Sequence, residues 1–439
     1  MEPLFKPVAW SFNASVYEVN LRQYTQEGTF TAFAKEMPRL RDMGIEVLWF
    51  MPITPVSIEK RLGTMGSYYA CSDYMATNPE FGSIDDFKQL VAEAHQLGFK
   101  VIIDWVANHT GWDHCWTVTH PEFYKKDSSG NFYDSNGWID VIDLNYYDHA
   151  MRRAMIIAME FWVNTCQIDG FRCDMAHLIP LDFWKQARTH LDAIKPLFWM
   201  AETEDIHYTQ AFDFSYAWHW MHQSEKFARV NRTIDEFRQD LQQYLDKITP
   251  YSTYLFFTSN HDENSWNGTE YEKYGEMALC FAVMTCTWSG LPLIYSGQEM
   301  PNRKRLKFFE KDAIEWTGRN ELHQFYKKLL ELRRSNAALS GDSSVAQTKF
   351  IHTTNDRQVI AYLRSSQDRQ VMVLLNFSDA PQHLLVDTQY LTGSYRNIFS
   401  EVITDMPSSN HFEIEPWSFL VLENIHGDSQ NRLFKFGSE

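Results

Sequence analysis

At 439 residues, 44% hydrophobic and 22% charged, the chain has a globular composition and is long enough for more than one structural unit. A formal net charge of -17 disfavours nucleic acid and anionic membrane surfaces as partners, because both call for a basic footprint, and leaves a neutral substrate as the simpler expectation. Aromatic residues make up 15% of the chain, including 15 Trp; this suits a glycan binder, although a Trp-rich core is the commoner source of such a count.

The start, MEPLFKPVAWSFN, lacks a basic segment followed by an apolar run, so no signal peptide is expected there. From here short β-rich runs alternate with helical patterns. The expected strands are SVYEVNL (15–21), EVLWFMPI (46–53), KVIIDWVA (100–107), GFRCDMA (170–176), LFWMAET (197–203), AFDFSYAW (211–218), TYLFFTSN (253–260) and LPLIYSG (291–297). Several are nearly continuous apolar runs, as parallel strands covered on both faces should be.

Between the second and third strands, SIDDFKQLVAEAHQLG reads as a helix. Ser83 and Asp86 are spaced as a capping box, Phe87, Leu90, Val91, Ala94 and Leu97 form one apolar stripe, and Gly98 stands where a C-terminal cap belongs. Eight strands alternating with helices point to an α/β fold, a (β/α)₈ barrel over residues 1–109 and 146–340. The connection after the third strand is long and poor in periodicity, so residues 110–145 read as an inserted subdomain on the active-site face of the barrel.

One uncharged stretch, MALCFAVMTCTWSGLPLIYSGQ, raises the question of a membrane span. Gly290 and Pro292 interrupt it, and the expectation is a buried helix, a break and a buried strand. The last barrel helix, NELHQFYKKLLELRRSN, is followed by QVIAYLR, RQVMVLLNFS, HLLVD and SFLVLEN, read as a C-terminal antiparallel β-sandwich domain over 341–425 with a polar tail at 426–439. The six cysteines, 71, 115, 166, 173, 280 and 286, form no C-x-x-C pair and are expected as buried free thiols.

Four strand ends are unusually polar: DWVANHT (104–110), GFRCDMAHL (170–178), AETED (201–205) and FTSNHDENSW (257–266). A barrel brings such ends together, gathering Asp104, Asn108, His109, Arg172, Asp174, Glu202, His261 and Asp262. Arg172 and Asp174 are two apart on a strand and so share a face. An isolated pair of this kind is more often a buried structural ion pair, and each histidine or acid alone is more often a satisfied polar residue. Their joint occurrence at several strand ends favours a catalytic site.

These four segments, in this order and on these strands, resemble the signature regions of the α-amylase family, glycoside hydrolase family thirteen, with DLN (143–145) as a fifth motif. The resemblance implies Asp174 as nucleophile, Glu202 as general acid/base and Asp262 as the third carboxylate. It further implies that His109 and His261 bind the sugar, that Tyr69 in GSYYACSDY stacks on it, and that Arg172 holds Asp174 ionised while Glu202 keeps a raised pKa. Asp104 is expected in a supporting role. No cofactor is implied for the chemistry. A structural calcium between barrel and insertion is left open, with Asn108 matching its first ligand.

The pattern departs from the family after the nucleophile, where MAHL (175–178) replaces the usual Lys-His pair and puts His177 and Leu178 on the leaving side. The loop RQYTQEGTF after the first strand lacks the Asp-rich cation loop of some relatives. The implied function is a retaining hydrolase of α-1,4-glucans, with a transglycosylase or glucosyl-isomerising enzyme of the family as the nearer alternative and a non-catalytic glycan-binding protein as the more distant one. Compartment and oligomeric state are not legible.

Overall fold

Eight short parallel strands close on themselves into a barrel. They are β1 (Val16–Val19), β2 (Val47–Phe50), β3 (Lys100–Trp105), β6 (Gly170–Cys173), β7 (Phe198–Ala201), β8 (Phe214–Tyr216), β9 (Thr253–Phe256) and β10 (Leu291–Tyr295). This computed structural model describes residues 4–425 apart from 231, 250, 392, 407 and 408. All eight lie inside the ranges read from the sequence, each stopping short of the expected C-terminal end, and all are buried along their length except for Lys100 at the start of β3. The expected tail at 426–439 lies outside the described residues.

The helix over Ile84–Gln96 begins with the Ser83–Asp86 capping box, and Gly98 follows it with φ +85°. The long apolar stretch resolves into a helix, Ala278–Thr287, a break and β10. Among the described residues no helix is long and apolar enough to cross a membrane. The six cysteines are free; five are buried, but Cys115 is exposed, which corrects the expectation for that residue. It opens the short helix Cys115–Thr119 of the insertion, which buries none of its residues.

The insertion is mostly irregular. Its one ribbon pairs β4 (His109–Gly111) with β5 (Val141–Asp143), setting His109 opposite Asp143. Beyond the helix His323–Ser335 come β11 (Gln347–Phe350), β12 (Val359–Ser366), β13 (Arg369–Asn376), β14 (Gln382–Leu385), β15 (Gly393–Asn397), β16 (Ile403–Met406), β17 (His411–Ile414) and β18 (Phe419–Ile425). Six form one antiparallel sheet, and β14 pairs with β17 across one of its faces. Strand β12 shows the alternation: Ile360 and Tyr362 join the barrel's core, while Val359, Ala361 and Leu363 join a second core with Leu384, Phe412 and Ile414. The four strands not anticipated, β11, β15, β16 and β17, are only four or five residues long and half exposed; β17 alternates polar and apolar residues, but over too short a run to mark it.

Candidate active site

Strand β6 supplies the centre of the site. Gly170 opens it because a Cβ there would lie 2.1 Å from the Phe198 carbonyl oxygen of β7, so only glycine allows this approach. Two residues on, Arg172 is fully buried at the C-terminal mouth of the barrel, with its guanidinium carbon 5.1 Å from the ring centre of Trp49 and 5.4 Å from that of Tyr216. An unpaired cation in such a place would cost several kcal/mol. Three carboxylates offset that cost.

Arg172 Nη1 donates to Asp104 Oδ1 at 2.8 Å and to Asp174 Oδ1 at 3.0 Å, while Nη2 stands 2.8 Å from Glu202 Oε2 without hydrogen-bond alignment. Register explains the first contact, since Asp104 and Arg172 are direct partners across β3 and β6. Asp174 and Glu202 follow the last residues of β6 and β7, and Glu202 Oε2 also accepts the Met175 backbone N–H at 2.9 Å. Met175 takes the left-handed conformation (φ 40°) that turns this N–H toward the acid.

This geometry corrects one expectation. Arg172 is not reserved for Asp174, and it does not by itself set the two acids to opposite states. Burial raises the pKa of both carboxyls, and Arg172 draws both down by less than burial raises them. Burial also pushes Asp104 up to about 7 in spite of its bonds to Arg172. The difference between the acids lies in contacts: Asp174 accepts an aligned guanidinium hydrogen bond, whereas Glu202 does not.

The remaining residues expected at the site surround this pair. Tyr69 bonds through its hydroxyl to Asp104 Oδ2 (3.0 Å) and to His261 Nε2 (2.7 Å), and its ring lies nearly parallel to those of His261 and Phe308. His261 Nε2 is 3.3 Å from Asp262 Oδ2, and Asp262, with 39% of its side chain exposed, is the acid most open to the cleft. His109 comes from β4, buried against Trp138, and burial lowers its pKa. Tyr69, His109, Asp174, Glu202, His261 and Asp262 all line one cleft of about 530 Å³, within the usual range for small-molecule sites.

Several lining residues were not anticipated: Trp138 from the insertion, Trp266 after Asp262, and Phe308 and Phe309 from the connection after β10. The only signal for them is an aromatic residue among turn-forming or charged neighbours, as in SNGWID and LKFFEK. A second arm of the cleft runs beyond Glu202, where Met175, His177, Glu204, Trp218 and His222 form its walls. His177 thus lies on the side expected from MAHL, while Leu178 is not part of either arm.

Asn108, which matches the first calcium ligand in sequence, stands between β3 and β4. Asn108 turns its amide to His109 Nδ1 at 3.2 Å. Asp143, the buried acid where the insertion meets the barrel, accepts from Lys125 Nζ at 2.8 Å and from the Ser135 N–H and hydroxyl. An ammonium on that carboxylate repels a divalent cation and leaves one oxygen for it where calcium needs about six to eight. Among the described residues no three His, Cys, Asp or Glu side chains gather into one group.

Comparison with known proteins agrees with the geometry. The family model described as the α-amylase catalytic domain matches residues 11–134 and 120–315, and that of the maltogenic amylase C-terminal domain matches 348–421. The chain is 25% identical over 415 residues to Alpha-amylase MalA of Haloarcula japonica, spanning 88% of this chain but 59% of that protein. It is also 25% identical to an alpha-1,4-glucan:maltose-1-phosphate maltosyltransferase of Burkholderia pseudomallei, over 84% of this chain and 35% of that one. In structure it resembles the noncanonic maltogenic alpha-amylase AmyB of Thermotoga neapolitana, with a TM-score of 0.86, 29% identity and coverage of 95% and 99% of the two chains.

Proposed function

The chain belongs to the α-amylase family, and on that footing we propose that it is a retaining α-glucan hydrolase cutting α-1,4-glucosidic bonds of starch, glycogen or maltooligosaccharides. The observation that carries the proposal is the single guanidinium of Arg172 bound to Asp174 and facing Glu202 at the floor of an open cleft. A retaining glycosidase needs a nucleophilic carboxylate and a protonated carboxyl close together, ~5–5.5 Å apart, on either side of the scissile bond.

The roles follow from the contacts. Arg172 anchors Asp174 through Oδ1, which keeps that acid ionised and leaves Oδ2 free. Two neighbouring buried carboxyls repel each other's charge, so one proton settles on Glu202, the acid without an aligned cation bond. Asp174 Oδ2 attacks the anomeric carbon as the glycosidic C–O bond breaks, and the Glu202 proton passes to the leaving oxygen. Glu202, now ionised, takes a proton from water; the water oxygen attacks the same carbon and the Asp174 ester bond breaks, restoring both groups. Asp262, at the open side, supports the positive charge that develops on the sugar in the transition state of each step. Tyr69, His109 and His261 bind that sugar, and Trp138, Trp266 and Phe308 supply apolar faces for neighbouring units.

Product analysis with maltoheptaose tests this reading. Shorter oligosaccharides with new reducing ends of retained configuration are expected. Chains longer than seven units would replace hydrolysis by transfer, a reaction named for one of the similar proteins, and binding without any change of chain length would overturn both.

A further inference from the structure

One acid in the barrel has no part in the chemistry above. Glu18 is the only charged residue of β1, fully buried, and its Oε1 lies 2.5 Å from His261 Nδ1 and 3.3 Å from the His261 backbone N. Its other oxygen, Oε2, has no hydrogen-bond partner among the described residues, so His261 is the cationic group this carboxylate meets directly.

The chain of contacts around the ring links its state to that of two carboxyls, Asp104 and Glu18. Arg172, at 2.8 and 3.1 Å, favours the ionised form of Asp104, and in that form the single proton of the Tyr69 hydroxyl goes to Asp104. The Tyr69 oxygen is then an acceptor toward His261 Nε2, which must carry a hydrogen. On the Nδ1 side burial raises the pKa of Glu18 while His261 and Arg172 lower it, and an ionised Glu18 requires a second proton on the ring. With both carboxyls ionised, both ring nitrogens are donors.

We propose that Glu18 is a positioning residue of this site, holding the His261 ring as a doubly protonated imidazolium that faces Asp262 and the sugar subsite. The inference rests on the proposed hydrolase reading of the cleft. Groups facing the ring are Glu18 from β1, Tyr69 from the connection after β2, Asp104 from β3, Arg172 and Asp174 from β6, Glu202 from β7, and Asp262 beside it. Burial would lower the ring's pKa, but Asp262 and Glu18 outweigh both burial and the repulsion from Arg172 and raise it to about 9. The imidazolium offsets one of the site's negative charges, and its Nε2–H holds the Tyr69 hydroxyl at the edge of the sugar subsite.

The experiment is imidazole ¹⁵N NMR of the full chain, with the His261 signal assigned by its loss in His261→Gln. At pH 7.5 the wild-type ring is expected in the doubly protonated form, titrating only above pH 8. In Glu18→Gln its titration should fall by about one unit or more, as loss of an adjacent opposite charge predicts. The kcat/KM for maltoheptaose should fall most steeply on the alkaline side, and the double variant Glu18→Gln/His261→Gln should lose no more than His261→Gln alone. A neutral wild-type ring at pH 7.5, or an unmoved titration in Glu18→Gln, would overturn the inference, and the first result is read even if the variant does not fold. Because the ring is observed without substrate, inactivity of the wild type toward maltoheptaose would sink the hydrolase reading and leave the assignment of Glu18 standing.

Discussion

Arg172 Nη2 stands 2.8 Å from Glu202 Oε2, so the guanidinium that bonds the nucleophile candidate also faces the acid candidate. Its charge lowers both carboxyls against the upward pull of burial. Replacing it in Arg172→Gln therefore raises both. The acid limb of the kcat/KM profile, which requires ionised Asp174, should move to higher pH by about 1–3 units. Loss of a buried partner should also lower Tm, since breaking such a pair costs ~3–5 kcal/mol. A lowered Tm with an unmoved acid limb would make Arg172 purely structural.

Asp174→Asn and Glu202→Gln test the chemistry more directly. Each keeps the shape of the side chain, and each should lower kcat by at least the ~10²–10⁴-fold typical of one acid/base group. Circular dichroism and Tm should stay near wild type, because Arg172 retains Asp104 and one further acid in either variant. Near-normal turnover in either one would refute its assignment.

These acids are legible in the sequence because each stands at the end of an apolar strand, where burial of a charge demands a reason. Glu18 carries the same signal within SVYEVNL, but a lone acid with no second motif beside it does not declare a role; its partner His261 is 243 residues away. The contact of Arg172 with Glu202 is hidden for a related reason. Strand periodicity relates residues of one strand, and this pair depends on the neighbouring strand and on the turn at Met175. The aromatic walls lie on irregular connections, where no period marks a side chain as facing the cleft.

Trp266 lies at the cleft's rim, 58% exposed, with its ring 5.5 Å from Phe308 and 5.7 Å from Phe309. It touches neither acid by any hydrogen bond or ion pair among the described residues. In Trp266→Ala the KM for maltoheptaose should rise by up to about tenfold with kcat nearly kept, the pattern of an interaction equally strong in ground and transition states. An equal fall in kcat would place the ring closer to the chemistry than this structure does.

Lys125 and Asp143 lead to a prediction about metals. Burial would raise the Asp143 pKa, but hydrogen bonds from Lys125 and Ser135 bring it below its ordinary value of 3.8. A carboxyl depressed in this way adds stability above its unfolded pKa and loses it as pH falls through the folded value. Lys125→Met should thus lower Tm at pH 7, with a cost toward the lower part of the ~3–5 kcal/mol for a broken buried pair because Lys125 is partly solvated. The deficit should shrink near pH 3. Treatment of the wild type with EDTA should leave Tm unchanged, and a large drop would show a cation at this junction after all.

Glu270 gives the opposite sign. It is buried behind the site, where Thr258 and Gln298 donate to Oε2 while Oε1 has no hydrogen-bond partner among the described residues. Burial raises its pKa from 4.5 to about 7, more than those donors and Lys273 lower it. The folded state therefore holds this proton more tightly than the unfolded chain. Its contribution to stability is complete below about pH 4.5 and is lost as pH rises through 7. Glu270→Gln never ionises. Its amide N–H₂ has no acceptor on the Oε1 side, a penalty that does not vary with pH and is of order 1–3 kcal/mol. The readout is accordingly the pH dependence of the difference: Tm of the variant relative to wild type should climb by a few degrees, on the order expected from ΔΔG for a chain this size, between pH 5 and pH 8.5. A difference that stays flat across that range would mean that Glu270 is already ionised in the folded protein at pH 5.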